Sequence, residues 1–128
     1  VSGVARLKLK KRGFNMEANT GYINLELPMT VFELIDTSYA IADEKGFHED
    51  PKPNFSEKLL LIVSEITELQ EADRKDKGRE AKLEELADIY IRLGDFSKIF
   101  FDPQEVEEAI NAKHEKNRNR SYKHGCLY

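Results

Sequence analysis

Residues 54–100 read as two long helices separated by one break, and that pairing constrains the fold more than any other feature of the chain. Asn54 stands three residues before Glu57, the spacing at which a cap side chain and a first-turn acid satisfy free N–H groups. Leu59 through Val63 are consecutive apolar residues, followed by Ile66 and Leu69 on the way to about Arg74. That is more than one apolar stripe, so this helix is expected to be buried on more than one side. Asp73–Arg79 (DRKDKGR) is a charged turn around Gly78. From about Glu80 to Phe100, Leu83, Leu86, Ile89, Tyr90, Leu93, Phe96, Ile99 and Phe100 recur at helical spacing. A connection this short favours antiparallel neighbours.

Two more helices flank this pair. Thr30 and Glu33 have capping-box spacing. Val31, Leu34, Ile35 and Ala42 then form an inward stripe, and Gly46 ends the helix. Phe47–Pro53 is a loop punctuated by Pro51 and Pro53. Asp102, Pro103 and Glu105 supply a cap, a first-turn proline and a capping-box acid for a last helix reaching about Asn117. The tail from Arg118 to Tyr128 is basic, then aromatic, and reads as irregular. The fold class is therefore all-α, a four-helix bundle over residues 28–128. Residues 1–27 form an arm or a β-hairpin: Val4–Leu9 and Tyr22–Leu27 both alternate, and Asn19-Thr20-Gly21 lies between them.

The composition excludes several function classes. Hydrophobic residues make up 40% of the 128 and charged residues 34%, which suits one globular domain and not a disordered chain. A net charge of -4 predicts neither a nucleic-acid binder nor a membrane-surface protein, despite Lys8, Lys10, Lys11 and Arg12. No apolar run approaches the roughly 20 residues of a membrane span. Val1–Gly13 lacks the apolar core of a secretion signal, and Cys126 is the only cysteine, so a reducing cytoplasm is expected.

The acids are arranged in pairs. Glu65 and Glu68 are three apart on the second helix, Glu85 and Asp88 three apart on the third. A single such pair ordinarily marks a solvated face. Two pairs on adjacent apolar helices can converge, and four converging carboxylates need a positive partner. Hard divalent cations, Mg²⁺ or Mn²⁺, suit oxygen ligands. A di-iron site would need Glu-x-x-His pairs, but His48, His114 and His124 follow Lys45, Asn111 and Ser121 at that offset. Zinc-ligand spacing and glycine-rich phosphate loops are absent from the sequence.

The string Ser64-Glu65-Ile66-Thr67-Glu68-Leu69-Gln70-Glu71-Ala72, a spacer of 16 residues between Glu68 and Glu85, and Glu85-Leu86-Ala87-Asp88 together resemble the MazG-like nucleotide pyrophosphohydrolases. Their hallmark is ExxE followed by ExxD on two helices. Glu44-Lys45-Gly46-Phe47 and the tail Lys113–Arg120 with Tyr122-Lys123-His124-Gly125 add to the likeness, which spans roughly residues 30–125. Ser64 departs from it, since the family often opens the first motif with two adjacent acids. The resemblance implies a MazG-like helical domain that hydrolyses nucleoside or deoxynucleoside triphosphates to the monophosphate and pyrophosphate. It implies Mg²⁺, or Mn²⁺, on Glu65, Glu68, Glu85 and Asp88 as metal ligands and catalytic groups. One of these, or Glu71 or Glu84, would orient the water. Lys113, Lys116, Asn117, Arg118, Arg120 and Arg92 are the expected triphosphate donors, although a basic helix end also complements the helix dipole. Phe47 and His48 would either contact the base or tuck into the core, and Tyr39, Tyr90 and Tyr122 are read as packing residues. The resemblance further implies a homodimer or homotetramer. A dUTP- or dCTP-type or phosphoribosyl-ATP pyrophosphatase is an alternative within the superfamily, and a non-catalytic helical interaction module is one outside it.

Overall fold

A computed structural model describes residues 6–11, 14–19 and 29–125. The chain divides between Thr30 and Val31 into two units. In the first, β1 (Arg6–Lys11) pairs antiparallel with β2 (Phe14–Asn19), Arg6 opposite Asn19 and Lys11 opposite Phe14. The sequence pointed to a later partner, Tyr22–Leu27, which lies outside the described residues. Phe14–Asn19 alternates just as well, and closing a loop of two residues costs less entropy than closing a long one.

The second unit is all-α: α1 (Val31–Glu44), α2 (Phe55–Arg74), α3 (Arg79–Phe100) and α4 (Pro103–Arg118), followed by a 3-10 turn, Tyr122–Gly125, in the tail expected to be irregular. Local signals set the ends. The Asn54 side chain accepts the Glu57 N–H at 3.0 Å. Asp102 accepts from the Gln104 N–H at 2.8 Å while Glu105 accepts the Asp102 N–H at 3.0 Å, which completes the expected capping box. α1 ends in a Schellman motif, with the Phe47 N–H on Ala42 O and the Gly46 N–H on Asp43 O, both 3.0 Å. Gly46 takes φ +81 there, a conformation only glycine adopts freely, and the chain beyond it brings His48 back against Tyr39 of α1. α2 ends the same way through Lys77 and Asp76, with Asp76 at φ 48.

α2 and α3 run antiparallel. Lys82 Nζ lies 3.0 Å from Asp73 Oδ1 near the turn, and further along Arg92 Nε lies 2.9 Å from Glu65 Oε1, so contacts advance on one helix as they retreat on the other. α3 also packs along α1, whereas α4 lies mainly on α1. The core consists of Ile35, Ile62, Ala72 and Phe96. Phe55 meets Phe96 and Phe100 edge-on, at 5.0 and 4.8 Å between ring centres, and closes the end of the α2–α3 pair. Among the described residues no helix is long and apolar enough to cross a membrane.

Within one chain, α2 is not buried on several sides. Leu59, Val63 and Ile66 on α2, and Leu83, Leu86, Tyr90 and Leu93 on α3, form helical stripes that remain exposed. Tyr90 and Tyr122, expected to pack, are 53% and 87% exposed. Helical periodicity sets which residues share a face, not which face another element covers.

The α1–α3 crossing depends on Gly94, which is buried in mid-helix. A Cβ there would lie 2.8 Å from Ser38 Oγ, 3.1 Å from Ser38 Cβ and 3.1 Å from the Leu34 carbonyl oxygen. Gly94→Ala gains up to about 1 kcal/mol of helix propensity. Overpacking against a neighbouring backbone costs about 1–3 kcal/mol. A net loss of stability is expected, read as a lower urea midpoint; an unchanged or higher midpoint would show that the two helices separate freely.

Candidate metal centre

α2 and α3 bring their acids together because each pair lies within one helical turn and the helices are antiparallel. Glu65, Glu68 and Glu85 each offer one carboxylate oxygen, all within 4.8 Å of one another. Three of the four expected ligands thus converge. Asp88, exposed and one turn beyond Glu85, falls outside that triad, though its charge still reaches Glu68.

The three acids differ in environment. Glu65 is 9% exposed, and Arg92 donates through Nε to its Oε1 at 2.9 Å. Glu68 is exposed, and its carboxyl is held above its ordinary value near 4.5. The charge of Glu65 is the largest cause, followed by partial desolvation, Glu85, a side-chain hydrogen bond with Glu65, and Asp88. Like charges crowded at an accessible rim suit a hard cation arriving from solvent, and an all-carboxylate donor set matches Mg²⁺ or Mn²⁺.

Other expected site residues are placed differently. Arg92, expected on the triphosphate, is the partner of Glu65. Glu71 accepts from Arg74 at 2.7 Å and pairs with Lys75 at 2.6 Å; these hydrogen bonds, that from Lys75 first, hold its carboxyl below the usual range. Glu84 is exposed. Lys113, Lys116, Asn117 and Arg118 lie on the exposed last half of α4, with Arg120 just beyond it. Among the described residues, no hydrogen bond or ion pair joins them to the four acids, and Arg118 is paired with Glu115.

A second polar cluster lies outside the acids. His48 is held from both sides, Nε2 2.7 Å from Asp95 Oδ1 and Nδ1 3.2 Å from Asp43 Oδ1, and its ring stacks on Tyr39 at 4.4 Å. It is therefore tucked in, while the neighbouring Phe47 stays 61% exposed. Lys98 Nζ lies 2.6 Å from Asp36 Oδ1 and 5.2 Å from the centre of the Tyr39 ring. Beside this cluster is a cavity of about 210 Å³ whose lining includes Tyr39, Phe47, His48, Lys58 and Lys98. Sequence reasoning missed Asp43, Asp95, Lys58 and Lys98. The only local signal was Lys58 standing seven residues, two turns, before Glu65 on the same helix face.

A raised carboxyl pKa means that the folded chain binds that proton more tightly than the unfolded one. Stability therefore falls as pH rises from about 4.5 through the folded value, and stays reduced above it. Metal-free Glu68→Gln is expected to melt above the metal-free wild type at pH 7, with the difference shrinking below pH 4.5. Mg²⁺ should raise the melting temperature of the wild type and not of the variant. A lower melting temperature for the metal-free variant would contradict this account of the site.

Comparison with protein-family models, with curated proteins and with solved structures returns no match for this chain.

Proposed function

We propose that this chain is a Mg²⁺-dependent nucleoside triphosphate pyrophosphohydrolase of the MazG-like type. The observation that carries the reading is the convergence of Glu65, Glu68 and Glu85 within 4.8 Å, with the charge of Asp88 bearing on Glu68. The three converging carboxylates belong to the ExxE and ExxD motifs of two helices, and Asp88, the fourth motif acid, lies one turn beyond Glu85.

In the proposed reaction, water adds to the α-phosphorus and the bond from that phosphorus to the α–β bridging oxygen breaks. Pyrophosphate leaves with that oxygen, and a proton passes to solvent. Bound metal would neutralise phosphate charge and lower the pKa of a bound water. Glu65, Glu68 and Glu85 would hold it, with Asp88 one turn beyond as a fourth carboxylate. Arg92 fixes the Glu65 carboxylate, which leaves the second oxygen of that group for the cation. Glu71 is engaged by Arg74 and Lys75, so orienting the water falls to Glu84 or to one of the four ligands. Lys113, Lys116, Asn117, Arg118 and Arg120 serve the triphosphate, a role their freedom from the four acids leaves open. The exposed stripes on α2 and α3 support a homo-oligomer, since contiguous apolar surface of this kind marks association sites.

Pyrophosphate and monophosphate should appear from a panel of nucleoside and deoxynucleoside triphosphates with Mg²⁺ or Mn²⁺ and not with EDTA. Glu68→Ala and Asp88→Ala should each lose at least about 100-fold in turnover, the upper end of the loss from removing an outer-shell partner of a metal. Both should keep the helical circular dichroism spectrum. Full activity in either variant would remove that residue from the site, and no release by folded wild type would favour a non-catalytic helical module.

Light scattering at micromolar concentration should give a dimer or larger species, and Val63→Asp should shift it toward monomer. A monomeric wild type would defeat the proposed association.

A further inference from the structure

We propose that the cavity between α1, the loop after it and the end of α3 receives the nucleobase, and that it selects bases bearing carbonyl oxygens. This rests on the pyrophosphohydrolase reading and adds the substrate class.

Position is the first argument. Lys58 stands seven residues before Glu65 on α2, and Ile99, which also lines the cavity, seven after Arg92 on α3. Glu65 and Arg92 are bonded to each other, so on both helices the cavity lies two turns from this pair, about 10 Å along the same seam, with Glu68 and Glu85 farther along it. A ligand with phosphates at the acids therefore extends its other end toward Lys58. Size is the second argument. At about 210 Å³ the cavity is smaller than the roughly 300–1,000 Å³ of pockets that enclose whole ligands, so it suits one ring system rather than an entire nucleotide.

Chemistry is the third. Tyr39 already stacks on His48 and has Lys98 over its ring. Phe47 makes no ring contact with another described aromatic residue and is 61% exposed at the cavity, an aromatic face for a planar ring to cover. Lys58 is half-buried, and its ammonium has no hydrogen-bond or ion-pair partner among the described residues. Lys98 adds further donors beyond its bond to Asp36. Asp50, the carboxylate of the lining, already accepts the Lys52 N–H at 2.9 Å, while an ammonium donates and never accepts, so the two lysines call for acceptors on the ring edge. Uracil, thymine and guanine present carbonyl oxygens there; adenine presents none. His48, clamped by Asp43 and Asp95, positions the loop that carries Phe47.

The test uses the full chain with Mg²⁺ and measures kcat and KM for dUTP, dTTP, dGTP and dATP. Calorimetric binding of the uncleavable α,β-imido analogue of dUTP gives a readout independent of turnover. Wild type should favour dUTP, dTTP and dGTP over dATP. Phe47→Ala should raise KM, and the Kd of the analogue, by about tenfold for every base, in line with the loss of one base–aromatic stack, while kcat stays nearly constant. Lys58→Met should raise KM for the carbonyl-bearing bases alone and so flatten the preference. Both side chains are at least partly exposed, and thermal melting checks that each variant is folded. Wild type that turns nucleotides over, with KM and Kd unchanged in both variants, would overturn the base pocket and leave the pyrophosphohydrolase reading standing. A preference for dATP would overturn the carbonyl selection. No metal-dependent pyrophosphate release by wild type, and no binding of the analogue, would overturn the functional reading and the pocket with it.

Discussion

Glu65 carries its carboxylate into the seam between the two longest helices, at 9% exposure, and Arg92 reaches across that seam to it at 2.9 Å. A buried carboxylate without a partner would cost several kcal/mol or would take up a proton. The pair fixes the register of α2 against α3, and that register sets what lies up and down the seam. Toward the connecting turn it brings Glu68 and Glu85 beside Glu65. Toward the other end it brings Lys58 and Ile99 to one cavity. The helical rise sets the spacing between the acids and the cavity once this contact and Lys82–Asp73 hold the two helices in register. Breaking it by removing Arg92 would leave Glu65 more exposed to the repulsion that already raises the Glu68 carboxyl.

α3 is the element that every other part of the helical unit uses. One flank carries Arg92 toward α2, and another carries Gly94 against Ser38 of α1. Asp95 and Lys98 then reach His48 and Asp36, which belong to the loop after α1 and to α1 itself. Residues 94–97 are buried together, three of the four being Gly94, Asp95 and Ser97, none of them a large apolar residue. This stretch is buried because elements surround it, not because it is hydrophobic. Its polar groups are satisfied: Asp95 by His48, and Ser97 through its hydroxyl to the Leu93 carbonyl oxygen at 2.7 Å.

That difference explains what was legible in the sequence. Helix ends were, because a cap and its partner stand two to five residues apart: Asn54 with Glu57, Asp102 with Glu105, Gly46 closing on Asp43. The convergence of three acids was legible because 3.6-residue periodicity and one short turn determine it. The His48–Asp95 and Lys98–Asp36 bonds span 47 and 62 residues and leave no local trace, so the cavity they border was not foreseen. Arg92, expected at the triphosphate, bonds Glu65 through Nε, and a charge one turn from Asp88 looks the same in sequence whether it serves a substrate, a neighbouring helix or both. The pairing of Arg6–Lys11 with Phe14–Asn19 was not foreseen for a related reason: alternation marks a strand but does not choose among alternating partners.

The exposed apolar stripes and the acids do not compete for one surface. Ile66 and Glu68 are two residues apart on α2, as are Leu86 and Asp88 on α3, and two residues on a helix turn a side chain by about 200°. Each helix therefore presents its stripe to one flank and its acids to nearly the opposite one. Association through Val63, Ile66, Leu83 and Leu86 would cover apolar surface without closing the carboxylate rim or the cavity two turns along it. It would also clamp α2 against α3 from outside the seam, where the Glu65–Arg92 bond holds them from within. The mutual repulsion of Glu68, Glu85 and Asp88 tends to spread these two helices in the absence of a cation. An outer clamp of that kind and the inner ion pair would oppose that spreading from two sides and would keep Glu65, Glu68 and Glu85 close together.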